Sequence, residues 1–233
     1  MTNHKKILFI IVEGPSDETA IGSVLSHIYE DTQVFVHVVG GDITTQTPEG
    51  GDIAAKVSAI VKNEAAIYHW RASDIARIIH IVDTDGAFVP EDAVIQDPTR
   101  KHIRYYENQI RTPDKKSVLE RNVRKQQNLK TLIKSTTIWR DVPYQVYYMS
   151  CNLDHVLYGQ LNMPDSAKVE TAYAFARTYR KQPEAFIEYT TDSPFSVDGD
   201  FEATWNYIKK GTRSLERHSN LHLALTGAGS DRP

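Results

Sequence analysis

Ile7-Leu8-Phe9-Ile10-Ile11-Val12-Glu13-Gly14 and Ile78-Ile79-His80-Ile81-Val82-Asp83-Thr84-Asp85-Gly86 decide the fold of this chain. Each is a short apolar, β-branched run that stops at carboxylates followed by glycine. Such a run reads as a strand buried on both faces, as in a parallel sheet. Open parallel sheets bind ligands at the carboxyl ends of their strands, so Glu13, Asp83 and Asp85 are expected to converge at one rim. Crowded carboxylates repel one another unless a cation joins them, and an all-oxygen donor set suits Mg²⁺ or Mn²⁺. Gly14 and Gly86 fit tight turns where a side chain would block the site.

Outward from these strands the pattern alternates. A helix is expected over 16–29, with Ser16 as its N-cap and Ile21, Val24, Leu25 and Ile28 at helical spacing. Val34–Val39 reads as a strand ended by Gly40-Gly41-Asp42. A loop over 44–51 precedes a helix over 52–68, and Ala76–Val82 is the third strand. The expected β-α-β-α-β order is that of an α/β fold with a parallel sheet flanked by helices. Residues 87–114 carry Pro90, Pro98 and Pro113 and read as irregular. A basic helix is expected over 114–135, a fourth strand over 144–149, and helices over 154–161, 165–189 (interrupted near Pro183) and 201–215. The parts are therefore a core (1–90), a basic helical insertion (91–140), the fourth strand with a helical C-terminal region (141–225) and a disordered tail (226–233).

Charge is unevenly placed. The 233-residue chain carries a net charge of −3. Residues 99–140 hold twelve Lys/Arg against three Asp/Glu, net +9, so the remainder carries −12. A basic segment beside an acidic rim suits a polyanionic substrate, while a solvated helix face is the bland account of the same run. The candidate backbone-contacting cations are Arg121, Arg124, Lys125 and Lys130, with Lys209, Lys210 and Arg213 near the C-terminus. Tyr105, Tyr106, Tyr144, Tyr147 and Tyr148 lie near basic residues and could stack bases, although alternating tyrosines in a strand are more simply core. The single Cys151 excludes an intrachain disulfide and a cysteine-based zinc site. No apolar stretch approaches a membrane span. The opening residues run straight into the first strand, which reads as core and not as a signal peptide, so a cytoplasmic location is the expectation.

Glu13-Gly14 ending the first strand and Asp83-Thr84-Asp85-Gly86 ending the third together resemble the two signatures of the TOPRIM domain. The likeness covers about residues 5–90 plus the strand at 144–149. Val12-Glu13-Gly14-Pro15-Ser16-Asp17-Glu18 is most similar to the OLD (overcoming lysogenization defect) nuclease branch, whose acid four residues after the glutamate makes Asp17 a candidate ligand. Unlike the long OLD proteins, the chain has no Gly-x-x-x-x-Gly-Lys-Ser/Thr loop. The resemblance implies a TOPRIM-like Rossmannoid sheet and a Mg²⁺- or Mn²⁺-dependent nuclease in which Glu13, Asp83 and Asp85 are catalytic. It also implies an anti-phage defence effector working beside a partner ATPase.

Bland readings stand beside these. Glu13 would cap the following helix, Asp83 and Asp85 would form a turn, and Asp17 would complement a helix dipole. Asp42 reads first as a turn residue. Asp154, after the fourth strand, is either a further metal ligand or a helix N-cap. His155 reads as structural and Cys151 as a core thiol. The competing function is a non-catalytic scaffold or regulatory subunit bound to a partner protein. A phosphatase-type Asp-x-Asp would usually end the first strand, not the third. DNA versus RNA, one ion versus two, and the oligomeric state stay open at this level.

Overall fold

A computed structural model describes residues 5–46 and 52–226. Strands β1 (Ile7–Val12), β2 (Gln33–Val38) and β3 (Ile75–Asp83) alternate with helices α1 (Pro15–Ile28) and α2 (Ile53–Ile67). Then come three short strands, β4 (Val94–Gln96), β5 (Arg104–Tyr106) and β6 (Gln109–Thr112), followed by α3 (Lys115–Lys134). The chain re-enters the main sheet as β7 (Thr137–Trp139) and β8 (Val142–Met149). It finishes through α4 (Leu153–Tyr158), α5 (Asp165–Tyr179), α6 (Pro183–Thr191), α7 (Phe201–Ile208) and α8 (His222–Thr226). The main sheet runs β2-β1-β3-β8-β7, with the first four strands parallel and β7 antiparallel on the edge. The protein is thus α/β, with a mixed, mostly parallel sheet flanked by helices.

Alternation along β1 builds two cores. Leu8, Ile10 and Val12 face a layer that includes Ile21, Val24 and Leu25 of α1 and Phe186 of α6. Ile7, Phe9 and Ile11 face the opposite layer, with Val57 and Val61 of α2, Leu129 and Leu132 of α3 and Trp205 of α7. All six residues of β1 are buried, which is why its sequence shows no polar alternation. A third cluster joins Val94, Ile110 and Val118 to Leu215.

Several expectations need correction. Residues 91–140 are not a helical insertion alone, because β4, β6 and β5 form a second small sheet there. Strands of three or four residues are too short for their period to show. β7, three residues long, escaped the reading for the same reason, while β8 is the expected fourth strand begun two residues earlier. The N-cap of α1 is Gly14, not Ser16. The helix expected over 154–161 stops at Gly159, whose φ of 70° is left-handed. The one expected over 201–215 ends at Ile208, and turns follow it. Part of the 44–51 loop is a 3₁₀ turn, Ile43–Thr45. Residues 47–51 of that loop and 227–233 of the expected tail lie outside the described residues.

Candidate metal centre

Because β1, β2, β3 and β8 are parallel, their carboxyl ends share one rim. Chain direction across the sheet reverses at β1: one crossover leads out to β2, the next back past β1 to β3. The crevice between β1 and β3 is therefore the topological switch point, where open α/β sheets bind ligands. Glu13 follows β1 there and Asp83 ends β3.

The two acids are direct neighbours. The Asp83 N–H donates to Glu13 Oε1 at 3.1 Å, and the Leu153 N–H donates to Asp83 Oδ1 at 3.0 Å. The Glu13 side chain therefore does not cap α1. Asp17 does: its Oδ2 accepts from the Gly14 N–H at 2.8 Å. Beyond β2, the Gly40 and Gly41 N–H groups both donate to the Glu13 carbonyl, at 3.1 and 3.0 Å. Their φ values of 76° and 136° suit glycine. After β3, the Asp85 N–H donates to the Cys151 carbonyl at 2.8 Å, and both residues hold left-handed backbone, φ 48° and 44°. Across the same strand ends lies the C-terminal segment. Thr84 Oγ1 donates to the Ser214 carbonyl, and the Ser150 and Cys151 N–H groups donate to the His218 and Ser214 carbonyls.

Burial sets the electrostatics. It pushes the Glu13 carboxyl well above its ordinary range; Lys125 opposes this, and Asp42 and Asp85 add to it. Asp83 is pushed up by burial first, then by the charges of Glu13, Asp17 and Asp85. Burial lifts Asp17 to about 6, against the Gly14 N–H that favours its ionised form. Asp42 goes the other way. Burial would raise it, but the Lys125 ammonium and bonds from Thr44 hold it below the usual carboxylate range. Asp154 is raised by burial, with Lys168 opposing. Its Oδ2 stands 3.8 Å from Lys168 Nζ. Asp154 does not cap α4; that bond comes from Asn152, whose side chain accepts the His155 N–H. Burial, then Asp85 and Asp83, push the Cys151 thiol up, which leaves it an inert core group.

Two expected surface cations point inward. Lys125 is fully buried, with Nζ 2.5 Å from Asp85 Oδ2 and 2.7 Å from Asp42 Oδ2. It is not available to a nucleic-acid backbone. Arg121 donates to the Tyr105 hydroxyl, the Asp85 carbonyl and Asn122 Oδ1, so Tyr105 is bound rather than free to stack. Arg124 donates to the Thr45 carbonyl. Arg213 lies over the Tyr207 ring, 3.9 Å from its centroid. Lys130, Lys209 and Lys210 are exposed. The Lys130 and Lys134 charges both act on Lys209, which places the three in one patch. Lys168 is the cation that the sequence reading missed; its charge acts on Asp17 and Asp154, and the Asp83 charge acts on it in turn.

Among the described residues no three His, Cys, Asp or Glu side chains are grouped closely enough to hold one metal ion. The Asp85 oxygen that faces inward is already bonded to Lys125. The donor chemistry of the remaining pair nevertheless fits Mg²⁺, which is commonly held by one or two carboxylates and completes its shell with water and phosphate oxygens. Glu13 Oε2 and Asp83 Oδ2 accept no hydrogen bond among the described residues. Among the described residues no Lys or Arg forms a salt bridge with either acid. A concavity of about 690 Å³ between α1, β2 and α5 lies elsewhere and is lined by none of these carboxylates.

No protein-family model, curated protein or solved structure matches this chain.

Proposed function

We propose that the chain is a TOPRIM-type, OLD-like nuclease: a Mg²⁺- or Mn²⁺-dependent phosphodiesterase acting on DNA or RNA. One observation carries this reading. Glu13 and Asp83 adjoin at the switch point, pushed toward protonation, and among the described residues neither forms a salt bridge. They would hold the ion, with Asp17 and Asp154 behind them. When bound, the ion supplies the Lewis acidity that activates water and stabilises charge on the leaving oxygen. Asp17, whose carboxyl changes charge near neutral pH, exchanges a proton there. Lys168, partly exposed at the mouth, receives the substrate phosphate. The Lys130, Lys134 and Lys209 patch tracks the backbone further out. On this reading a partner ATPase gates the activity in an anti-phage defence system, as the resemblance implies.

The Lys125 ion pairs favour a second reading, a non-catalytic TOPRIM scaffold that binds a partner protein, because they engage one acid of the Asp-x-Asp pair. One experiment separates the two. Supercoiled plasmid, single-stranded DNA and bulk tRNA are incubated with the purified chain in Mg²⁺, Mn²⁺ or EDTA, beside Glu13→Ala and Asp83→Ala. Metal-dependent cleavage lost in both variants supports the nuclease. No cleavage together with no divalent-ion binding favours the scaffold.

A further inference from the structure

We propose that Lys125 is a resident cation: its ammonium takes the place beside Asp85 that a second metal ion would need, and so restricts the centre to a single divalent ion on Glu13 and Asp83. The inference rests on the metal reading above.

Two carboxylates from different strand ends converge on this one nitrogen. Asp42 comes from the turn after β2 and Asp85 from the turn after β3. The lysine side chain is wholly buried, while the two acids keep 19% and 20% of their side-chain surface exposed. The ammonium therefore fills the interior side of the pair and solvent meets only their outer edge. A second Mg²⁺ on Asp85 would sit about 2.0–2.1 Å from its oxygen. The inward oxygen already has the ammonium at 2.5 Å, so ion and ammonium would stand side by side in a poorly hydrated site. Glu13 and Asp83, by contrast, form no salt bridge among the described residues, and the Lys125 charge reaches Glu13 only from beyond ion-pair contact. Placement on α3 makes the device rigid. Val118, Asn122, Lys125, Leu129 and Leu132 form the buried stripe of that helix, so Lys125 is delivered from a packed face rather than from a mobile loop. Lys125 acts through Asp85 and Asp42 and is a positioning residue.

Manganese stoichiometry of the full chain tests this, measured by equilibrium dialysis with metal analysis and needing no turnover. The expected result is one Mn²⁺ per wild-type chain, none in Glu13→Gln, two in Lys125→Met and one in Lys125→Arg, which restores the charge. Circular dichroism establishes that each variant is folded. Should Lys125→Met fail to fold, Asp85→Asn decides. It is expected to keep one ion with an affinity loss no greater than the roughly 10–100-fold typical of groups beyond the ligands. Two ions in the wild type, one ion in a folded Lys125→Met, or no ion in folded Asp85→Asn each overturn the inference. No Mn²⁺ in the wild type overturns the metal reading itself.

Discussion

Replacing Asp17 by asparagine should stabilise the metal-free protein at neutral pH, even though it removes a candidate active-site acid. The fold holds this carboxyl at about 6, against about 3.9 in an unfolded chain. A raised acid contributes nothing below the unfolded value, where both states are protonated. As pH rises from about 4 to about 6 the unfolded chain ionises first and the fold is penalised, reaching about 3 kcal/mol above that window. Asparagine keeps an oxygen for the Gly14 N–H but loses the negative charge at the N-terminus of α1, worth about 0.3–1 kcal/mol. The net gain is about 2 kcal/mol at pH 7.5, or about 4–8 °C in Tm for a chain of this size. Thermal unfolding in EDTA at pH 7.5, 6, 5 and 4 measures it. The gap between variant and wild type should shrink steadily and vanish near pH 4. An Asp17→Asn protein less stable than wild type at pH 7.5, or a gap that ignores pH, would refute the argument that burial strains this acid.

Divalent ions should act in the opposite sense. At a hundredfold over Kd, Mg²⁺ or Mn²⁺ should stabilise the wild type by about 2.7 kcal/mol, with little effect on Glu13→Gln or Asp83→Asn; equal thermal shifts in all three would remove these acids from the site. A methyl group at Gly86 would lie 2.4 Å from Leu215 Cδ2 on backbone at φ 64°, so Gly86→Ala should cost about 2–4 kcal/mol in denaturant unfolding. Trp205, 1% exposed and edge-on to Tyr148 at 4.9 Å, ties α7 to β8; its replacement by alanine should cost about 3–5 kcal/mol, read by urea titration. Lys168→Ala should leave stability within about 1 kcal/mol, because its ion pairs are loose and partly exposed. In a Glu13→Ala background it should lower the salt slope of single-stranded DNA binding by about 0.7, measured by anisotropy; an unchanged slope would remove Lys168 from the phosphate path.

The strands that carry the site were legible because they are buried on both faces. β1 spans the expected 7–12 and the rim acids follow from parallel direction alone. Placement of the cations was not legible, since a run of Lys and Arg looks alike whether solvated or internal. A signal existed for Lys125. It falls in register with Val118, Leu129 and Leu132 on the buried stripe of α3, where a charge requires buried partners. Counting the run as a net +9 hid that phase. Lys168 gave no such signal, because its approach to Asp154 depends on how α5 packs on α1.

Strain at the rim helps to weigh nuclease against scaffold. Asp85 and Cys151 hold left-handed backbone without being glycine, and such residues cost roughly 1–3 kcal/mol each. Glu13, Asp17 and Asp83 are all pushed above their ordinary range by burial. Local violations of this kind gather where function outweighs stability. A partner-binding scaffold needs none of them, since amides in place of the acids would keep the sheet and its helices. The Lys125 pairs engage Asp42 in the turn after β2 and Asp85 in the turn after β3, and leave Glu13 and Asp83 without a salt bridge among the described residues. On the proposed nuclease reading, the Lys125 ammonium between Asp42 and Asp85, beside a Glu13–Asp83 pair that forms no salt bridge among the described residues, makes a centre arranged for one divalent ion.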